Sequence, residues 1–156
     1  PSMYLMAYQI RPTTHSSIHI KDPVPNSNPI INARYFEDEE DKRVTSTIID
    51  HLRSVMGTDP IGREVAFEEF PGERVASQED ALAYAYDPGA TVYHAVGSAA
   101  MGPNDDDVTT PDLRVRGVDG LRVVDISVLP FQVSGNTAAP AMALGWMAAD
   151  VIRETA

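Results

Sequence analysis

Two polar side chains, far apart in the sequence, are of the types that chemistry at a hydroxyl group needs. His94 stands in the apolar stretch 93–97, and Asn136 stands in Ser134-Gly135-Asn136-Thr137, directly before a predicted helix. An imidazole is well suited to take a proton near neutral pH, because its ordinary pKa is about 6.5. A carboxamide can donate a hydrogen bond, and the helix N-terminus beside it presents free amide hydrogens and a partial positive charge. The pair predicts a site that removes a proton and holds an electron-rich ligand edge.

Both residues also have ordinary structural interpretations. A single histidine in an apolar stretch is often a satisfied core residue, and Gly-Asn-Thr often supplies only turn and helix-cap chemistry. The residues after His94 favour the functional interpretation, because a large group can lie against a backbone with small side chains. These small residues are Gly97, Ser98, Ala99, Ala100 and Gly102.

Other chemistries lack their required patterns. The acidic residues 105–107 with Asp112 do not have the spacing of a calcium loop, and His15 with His19 has no third ligand. The chain has no cysteine, which excludes disulfides and thiolate metal sites. Neither Gly-x-Ser-x-Gly, a Walker A motif nor Gly-x-Gly-x-x-Gly occurs. We therefore predict no metal site.

The bulk properties indicate a globular protein and disfavour polyanionic partners. Of the 156 residues, 43% are hydrophobic and 22% charged, and the formal net charge is -11. That charge disfavours nucleic acid and anionic membranes, and no apolar run approaches the roughly 20 residues of a membrane span. The start at Pro1-Ser2, without initiator methionine or signal peptide, suggests an internal fragment or a processed chain. The compartment stays open, with the cytoplasm as the favoured expectation.

The pattern of apolar residues and turn signals predicts a mixture of strands and helices without a regular β-α-β rhythm, an α+β fold or part of a larger α/β protein. The final helix should bury the stripe Leu144, Met147, Ala148, Val151 and Ile152. The predicted elements are strands at 3–10 and 17–21, a loop at 22–29, a helix at 37–56 stopped by Gly57, a helix capped by Ser77 and Asp80 and running to about Ala85, two strand-like stretches within 113–130 joined at Gly117-Val-Asp-Gly120, and a helix at about 139–154.

Three segments closely resemble the C-terminal region of glucose-methanol-choline (GMC) flavin oxidoreductases. They are Tyr-His-Ala-Val-Gly-Ser-Ala-Ala-Met-Gly-Pro at 93–103, Leu-Arg-Val-Arg-Gly-Val-Asp-Gly-Leu-Arg-Val-Val-Asp-Ile-Ser-Val-Leu-Pro at 113–130, and Ser-Gly-Asn-Thr-Ala-Ala-Pro at 134–140. Arg11-Pro12 through Asn28-Pro29-Ile30-Ile31 and Tyr35 is similar to the opening strands of that region. The resemblance covers roughly residues 4 to 154, and the order and spacing of its segments agree.

The resemblance implies a division of labour within the chain. Residues 1–90 would form part of a substrate-binding domain, a sheet with flanking helices. Residues 91–156 would return to complete an FAD-binding Rossmann-like domain and the active site. The implied reaction is oxidation of an alcohol to a carbonyl compound, with FAD as cofactor and hydride passing to flavin N5.

The resemblance also implies a role for each site residue. His94 would be the base that takes the hydroxyl proton, and Asn136 would help to bind the substrate oxygen. Tyr93 would flank the flavin ring, and Asp125 with Ile126 would touch the ribityl-phosphate region of the cofactor. The backbone of Asn136 and Thr137 would contact the flavin pyrimidine edge.

Departures from the family pattern leave several questions open. Ser98-Ala99 replaces the Thr-Cys of many relatives, and Thr109-Thr110-Pro111 replaces Val-Asp-Pro. The Gly-x-Gly-x-x-Gly segment that cradles the FAD pyrophosphate is not in this sequence, which predicts a companion polypeptide or a further N-terminal portion that carries it. Oxidase and dehydrogenase activities, and the identity of the alcohol, stay open. The alternatives are a flavin-containing lyase on the same fold, similar to hydroxynitrile lyases, and a non-catalytic assembly module.

Overall fold

The computed structural model describes residues 2–155, which group into two units. The first unit contains the described residues up to His15 together with 34–91, and the second contains 16–33 together with residues from 92 onward. The segment 16–33 therefore groups with the C-terminal part of the chain. The assignment of 1–90 to substrate and 91–156 to cofactor stays a prediction.

The first unit is built on three helices: α1 (Glu39–Ser46), α2 (Ile48–Met56) and α3 (Gln78–Tyr86). The single helix predicted for 37–56 is wrong, because the chain breaks at Thr47. There the Thr47 hydroxyl and amide both donate to the Val44 carbonyl, at 2.8 and 3.2 Å, and the Ser46 hydroxyl donates to the Arg43 carbonyl. Serine and threonine hydroxyls that bond to the backbone in this way compete with helix continuation. As predicted, α2 ends at Gly57.

Local capping signals determine where α1 and α3 begin. Asp38 accepts from the Glu40 amide at the start of α1. Ser77 and Asp80 form the predicted capping box of α3, with each side chain accepting from the backbone amide of the other residue. At the far end of α3, the Tyr86 ring packs edge-on against Phe36, with ring centroids 4.9 Å apart.

The strand predicted for residues 3–10 is wrong, because this segment has no extended pairing partner and is irregular. The chain that follows is instead held by Asp41 of α1. The Asp41 carboxylate is 1% exposed and accepts from Gln9 Nε2, from the Thr13 amide and hydroxyl, and from the Thr14 amide. Burial alone raises the pKa of a carboxyl group, but these hydrogen bonds outweigh it and hold the pKa of Asp41 well below its usual range.

The second unit contains a small antiparallel ribbon. Strand β1 (Ser17–His19) pairs with β2 (Ile30–Asn32), with Ile18 opposite Ile31. The loop predicted between them is confirmed, and Asp22 closes it by accepting from the Val24 amide and the Ser27 hydroxyl. This ribbon is the whole of the sheet in residues 2–155, which is much smaller than the predicted sheet with flanking helices.

The two strand-like stretches within 113–130 meet at one isolated bridge. Arg114 lies opposite Arg122, and the chain turns between them at Gly117 and Gly120, both with the left-handed φ that favours glycine. A longer ladder does not form, because Leu113 has a φ of 65° and the 3₁₀ turn Ile126–Val128 ends the second stretch. The turn is confirmed, and the strands on either side are shorter than predicted.

The final helix, α4 (Ala138–Glu154), packs on this loop framework through one side only. Ala148 forms a buried cluster with Leu113 and Val128, and the partly buried Leu144 packs against it. The predicted stripe is partly wrong: Met147 is largely exposed and Ile152 is also exposed. None of the helices among residues 2–155 is long and apolar enough to cross a membrane.

Candidate functional site

The structure joins His94 to the start of α4. The Nδ1 atom of His94 lies 2.8 Å from the Thr137 hydroxyl, a hydrogen bond between residues of two remote segments. Thr137 is buried, whereas His94 is half-buried. Because the two ring nitrogens of an imidazole point in diverging directions, the bond at Nδ1 leaves Nε2 directed away from Thr137.

The Thr137 hydroxyl is available to His94 because it does not cap its own helix. Thr137 precedes α4 with φ of -87° and ψ of -2°, and its side chain makes no capping hydrogen bond. A capping residue would have extended backbone and accept from an amide two or three positions on. Three positions on is Pro140, which has no amide hydrogen. The main chain of Thr137 is fixed separately, since its carbonyl accepts from the Ala141 amide at 2.9 Å.

The segment after His94 is held by carbonyls of the 3₁₀ turn Ile126–Val128. The amides of Gly97 and Ala99 both donate to the Ser127 carbonyl, at 3.1 and 3.0 Å. The Met101 amide donates to the Val128 carbonyl at 2.8 Å. The His94 segment is therefore fixed at two places that are far away in the sequence, the backbone of this turn and the side chain of Thr137.

Asp125 shapes that turn. Its carboxylate accepts from the Ser127 amide at 2.7 Å and caps the turn, while the residue stays exposed. Hydrogen bonds from the Ser127 side chain and backbone hold the pKa of Asp125 below its usual range. Asp125 is thus connected to the His94 segment through Ser127. Ile126, beside it, is half-buried.

The remaining predicted residues lie at the exposed border of this arrangement. Asn136 precedes Thr137 and is exposed, so it lies on the loop that carries the hydrogen-bond partner of His94. Tyr93 precedes His94 with a φ of 59°, and its side chain is 84% exposed. Positive φ is uncommon for a bulky residue and is often found at functional sites.

Sequence reasoning missed the side-chain role of Thr137, for which only backbone contacts were predicted. A threonine at a helix start, followed three residues later by proline, is the signal that would have indicated a hydroxyl free for another partner. It also missed a hydrogen bond between the two segments that depart from the family pattern, Ser98-Ala99 and Thr109-Thr110-Pro111. The fully buried Thr109 donates its hydroxyl to the Ala99 carbonyl at 3.1 Å.

The candidate metal ligands, the acidic residues 105–107 with Asp112 and the pair His15 and His19, do not form a cluster among residues 2–155. In the part of the chain from 2 to 155, no three histidine, aspartate or glutamate side chains lie close enough to hold a metal ion. Asp107 instead closes its own loop by accepting from the Asn104 amide.

Comparison with known proteins identifies the family. Residues 12–145 match the protein-family model for the C-terminal region of the family described as GMC oxidoreductase. This chain belongs to the GMC oxidoreductase family, as the resemblance of its motifs predicted.

Individual relatives show how much of a family member the chain represents. It is 33% identical to an alcohol dehydrogenase [acceptor] of Pseudomonas putida, with 90% of this chain and 26% of the relative aligned. It is 36% identical to a chloroplastic fatty acid photodecarboxylase of Chlamydomonas reinhardtii, with 96% and 25% aligned. Among solved structures, a fungal aryl-alcohol oxidase superposes with a TM-score of 0.79 at 31% identity, covering 92% of this chain and 24% of the other. The chain thus spans about a quarter of the length of these relatives.

Proposed function

We propose that this chain supplies the base and part of the cofactor site of an FAD-dependent oxidoreductase that converts an alcohol to a carbonyl compound. The observation that carries the proposal is the His94–Thr137 hydrogen bond, which holds an imidazole at the start of α4. The similarity to an alcohol dehydrogenase and to an aryl-alcohol oxidase supports the same class of reaction.

The residues at the start of α4 fit a flavin chemically. The uncapped first turn of α4 offers backbone amides and the positive end of a helix dipole, which suit the electron-rich pyrimidine edge. A Cβ added at Gly135 would meet no atom within 4 Å, so there is open space before the helix. When bound, FAD supplies the acceptor for the hydride.

The chain's own residues would handle the proton and the oxygen of the substrate. Nε2 of His94, directed away from Thr137, would take the hydroxyl proton as the carbon–hydrogen bond breaks, because an alcohol does not ionise by itself at neutral pH. The exposed Asn136 amide would donate a hydrogen bond to the substrate oxygen. Tyr93 would lie beside the cofactor ring, and Asp125 with Ile126 near the ribityl-phosphate region. Whether dioxygen or another acceptor then takes the electrons stays open.

The surface of α4 supports the need for a companion polypeptide or a further N-terminal portion. Trp146 is 80% exposed, and Met142 and Met147 are also exposed, although a helix that is apolar on several sides is normally buried. We propose that this face packs against the part that carries the Gly-x-Gly-x-x-Gly motif and the nucleotide half of FAD. Tight FAD binding by residues 1–156 alone would contradict this part of the proposal.

The test of the alcohol reaction is flavin bleaching in the FAD-loaded protein that contains this chain. Stopped-flow absorbance with a panel of aliphatic and aryl alcohols should show reduction by at least one of them. His94→Gln should slow that reduction by about 100- to 10,000-fold, the range expected for loss of a general base. His51→Gln, in which an exposed histidine of α2 is replaced, is the matched control and should leave the rate unchanged. Equal rates in the two variants would exclude His94 as the base.

A different flavin reaction is the second candidate, favoured by the 36% identity to a fatty acid photodecarboxylase. This candidate predicts that alcohols do not bleach the flavin. It also predicts that a fatty acid loses carbon dioxide under illumination. A lyase likewise would turn over its substrate without net bleaching. The same sample, tested with alcohols in the dark and with a fatty acid in the light, separates oxidation from these alternatives.

A further inference from the structure

We propose that Thr137 is a positioning residue that selects the tautomer of His94. In this arrangement the Nδ1–H of His94 donates to the Thr137 hydroxyl oxygen, so that Nε2 keeps a lone pair. The proposal deepens the proposed function and rests on it, since it matters for catalysis only if His94 is the base. Its structural half, the control of the tautomer, can be tested without any reaction.

The contact between Thr137 and His94 is short and is shielded from water on the threonine side. The distance of 2.8 Å between Thr137 Oγ1 and His94 Nδ1 is that of a well-formed hydrogen bond. Thr137 is only 6% exposed, which leaves water little access to replace the hydroxyl. A partly buried hydrogen bond of this kind costs more to break than an exposed one, because water replaces the lost partner less completely.

The Thr137 hydroxyl has no competing role in its own helix. The Thr137 side chain makes no cap, and its main chain is anchored independently by the Ala141 amide. The helix that carries it is in turn fixed to the loop framework through Ala148. Thr137 therefore presents an oxygen at a fixed place, and the imidazole must orient itself toward it.

The direction of the hydrogen bond decides which ring nitrogen of His94 carries the proton. A threonine hydroxyl both donates and accepts, so two arrangements satisfy the distance. If Thr137 donated to Nδ1, the neutral ring would carry its proton on Nε2, and His94 would have no lone pair directed outward. Only donation by Nδ1–H leaves the outward nitrogen able to accept a proton. Functional histidines commonly donate their other ring N–H to an oxygen acceptor, which fixes the tautomer.

The loss of rate expected on removal of the Thr137 hydroxyl depends on how strongly an uncharged group can orient a histidine. Loss of a buried carboxylate that orients a histidine costs about 10⁴-fold in rate. A neutral hydroxyl holds the tautomer without a charge, so we expect a smaller loss, roughly 10- to 100-fold in kcat, when it is removed. The Michaelis constant should change much less, because Thr137 acts through His94 and does not contact the substrate.

The experiment uses the FAD-loaded protein with ¹⁵N-labelled histidine. The ring ¹⁵N chemical shifts report which nitrogen carries the proton, and His94→Gln assigns the signal among the four histidines of this chain. We expect mainly the Nδ1–H form in the parent protein, a shift toward the Nε2–H form in Thr137→Val, and recovery in Thr137→Ser. Thr109→Val is the matched control, because it removes another buried hydroxyl of the same unit that bonds to Ala99 and not to His94.

The outcomes separate this proposal from the function on which it rests. A tautomer unchanged by Thr137→Val, or changed equally by Thr109→Val, would overturn the positioning role. Failure of Thr137→Ser to restore the Nδ1–H form would overturn it as well. If the tautomer follows the hydroxyl while His94→Gln still bleaches at the parent rate, Thr137 positions His94 and the proposed catalytic role of His94 is what fails.

Discussion

Asp41 and His94 illustrate two ways in which a fold can hold a titratable side chain. Asp41, in the first unit, is buried and accepts from four donor groups of Gln9, Thr13 and Thr14. His94, in the second unit, is half-buried and tied through one nitrogen to Thr137. A polar group whose hydrogen-bonding capacity is filled inside the protein stabilises structure, whereas one that is oriented but left open on one side can react. Asp41 belongs to the first kind, and we propose His94 for the second.

The strongest test of this comparison replaces Asp41. We expect its replacement to lower stability and not the rate of flavin reduction, the reverse of what we expect for His94. Asp41→Ala should lower the free energy of unfolding by about 3 kcal/mol, because it removes a buried charged acceptor that receives hydrogen bonds from four groups of Gln9, Thr13 and Thr14. Chemical denaturation measures this change. The fraction of Asp41→Ala protein that stays folded should reduce flavin at the parent rate, in contrast to His94→Gln.

The control for this prediction is Asp50→Ala, which removes an exposed acidic side chain from α2 in the same unit. Its effect on unfolding should stay below about 0.5 kcal/mol. An Asp41→Ala protein as stable as Asp50→Ala would show that the hydrogen bonds of residues 9–14 do not anchor the first unit.

The dependence of the free energy of unfolding on pH should separate the contribution of the Asp41 charge from that of its shape. We expect this effect to be smaller than that of Asp41→Ala. Its folded pKa lies below the unfolded value of about 3.9, so its contribution is fully present above that pH and is lost as the pH falls toward the folded pKa. One such group contributes a slope of up to roughly 1.4 kcal/mol per pH unit in this acidic window. Urea unfolding from pH 6 to pH 2 should show a steeper decline for the parent protein than for Asp41→Asn. Parallel curves would mean that Asp41 titrates alike in both states.

Predictions that depended on neighbours in the sequence were the most reliable. The capping box at Ser77, the stop at Gly57 and the turn at 117–120 follow from side chains and backbone a few residues apart, and all three are confirmed. The break at Thr47 was also local but was missed. Apolar periodicity continues through it, and only the hydroxyl bonds to preceding carbonyls interrupt the helix. Periodicity reports which face is apolar and not whether the backbone ladder is continuous.

Predictions that needed a distant partner were less reliable. Residues 3–10 have the composition of a strand but no strand beside them, and Met147 lies on the apolar helix α4 yet faces outward within the described unit. Strand formation and burial both depend on what lies opposite, and apolar content alone does not specify it. The roles of the predicted site residues stay predictions, and the structure adds a side-chain contact of Thr137, which was expected to act through its backbone alone.

The sequence by itself determined the family, the segments that carry His94 and Asn136, and the caps and turns at the ends of the elements. These depend on residue types at short or fixed spacing, which the printed chain displays directly. Only the tertiary structure decided that the Thr137 hydroxyl bonds to His94 and that Asp41 holds residues 9–14. The reason is physical: a hydroxyl or a carboxylate can accept many partners, and which partner it meets depends on how remote backbone segments pack.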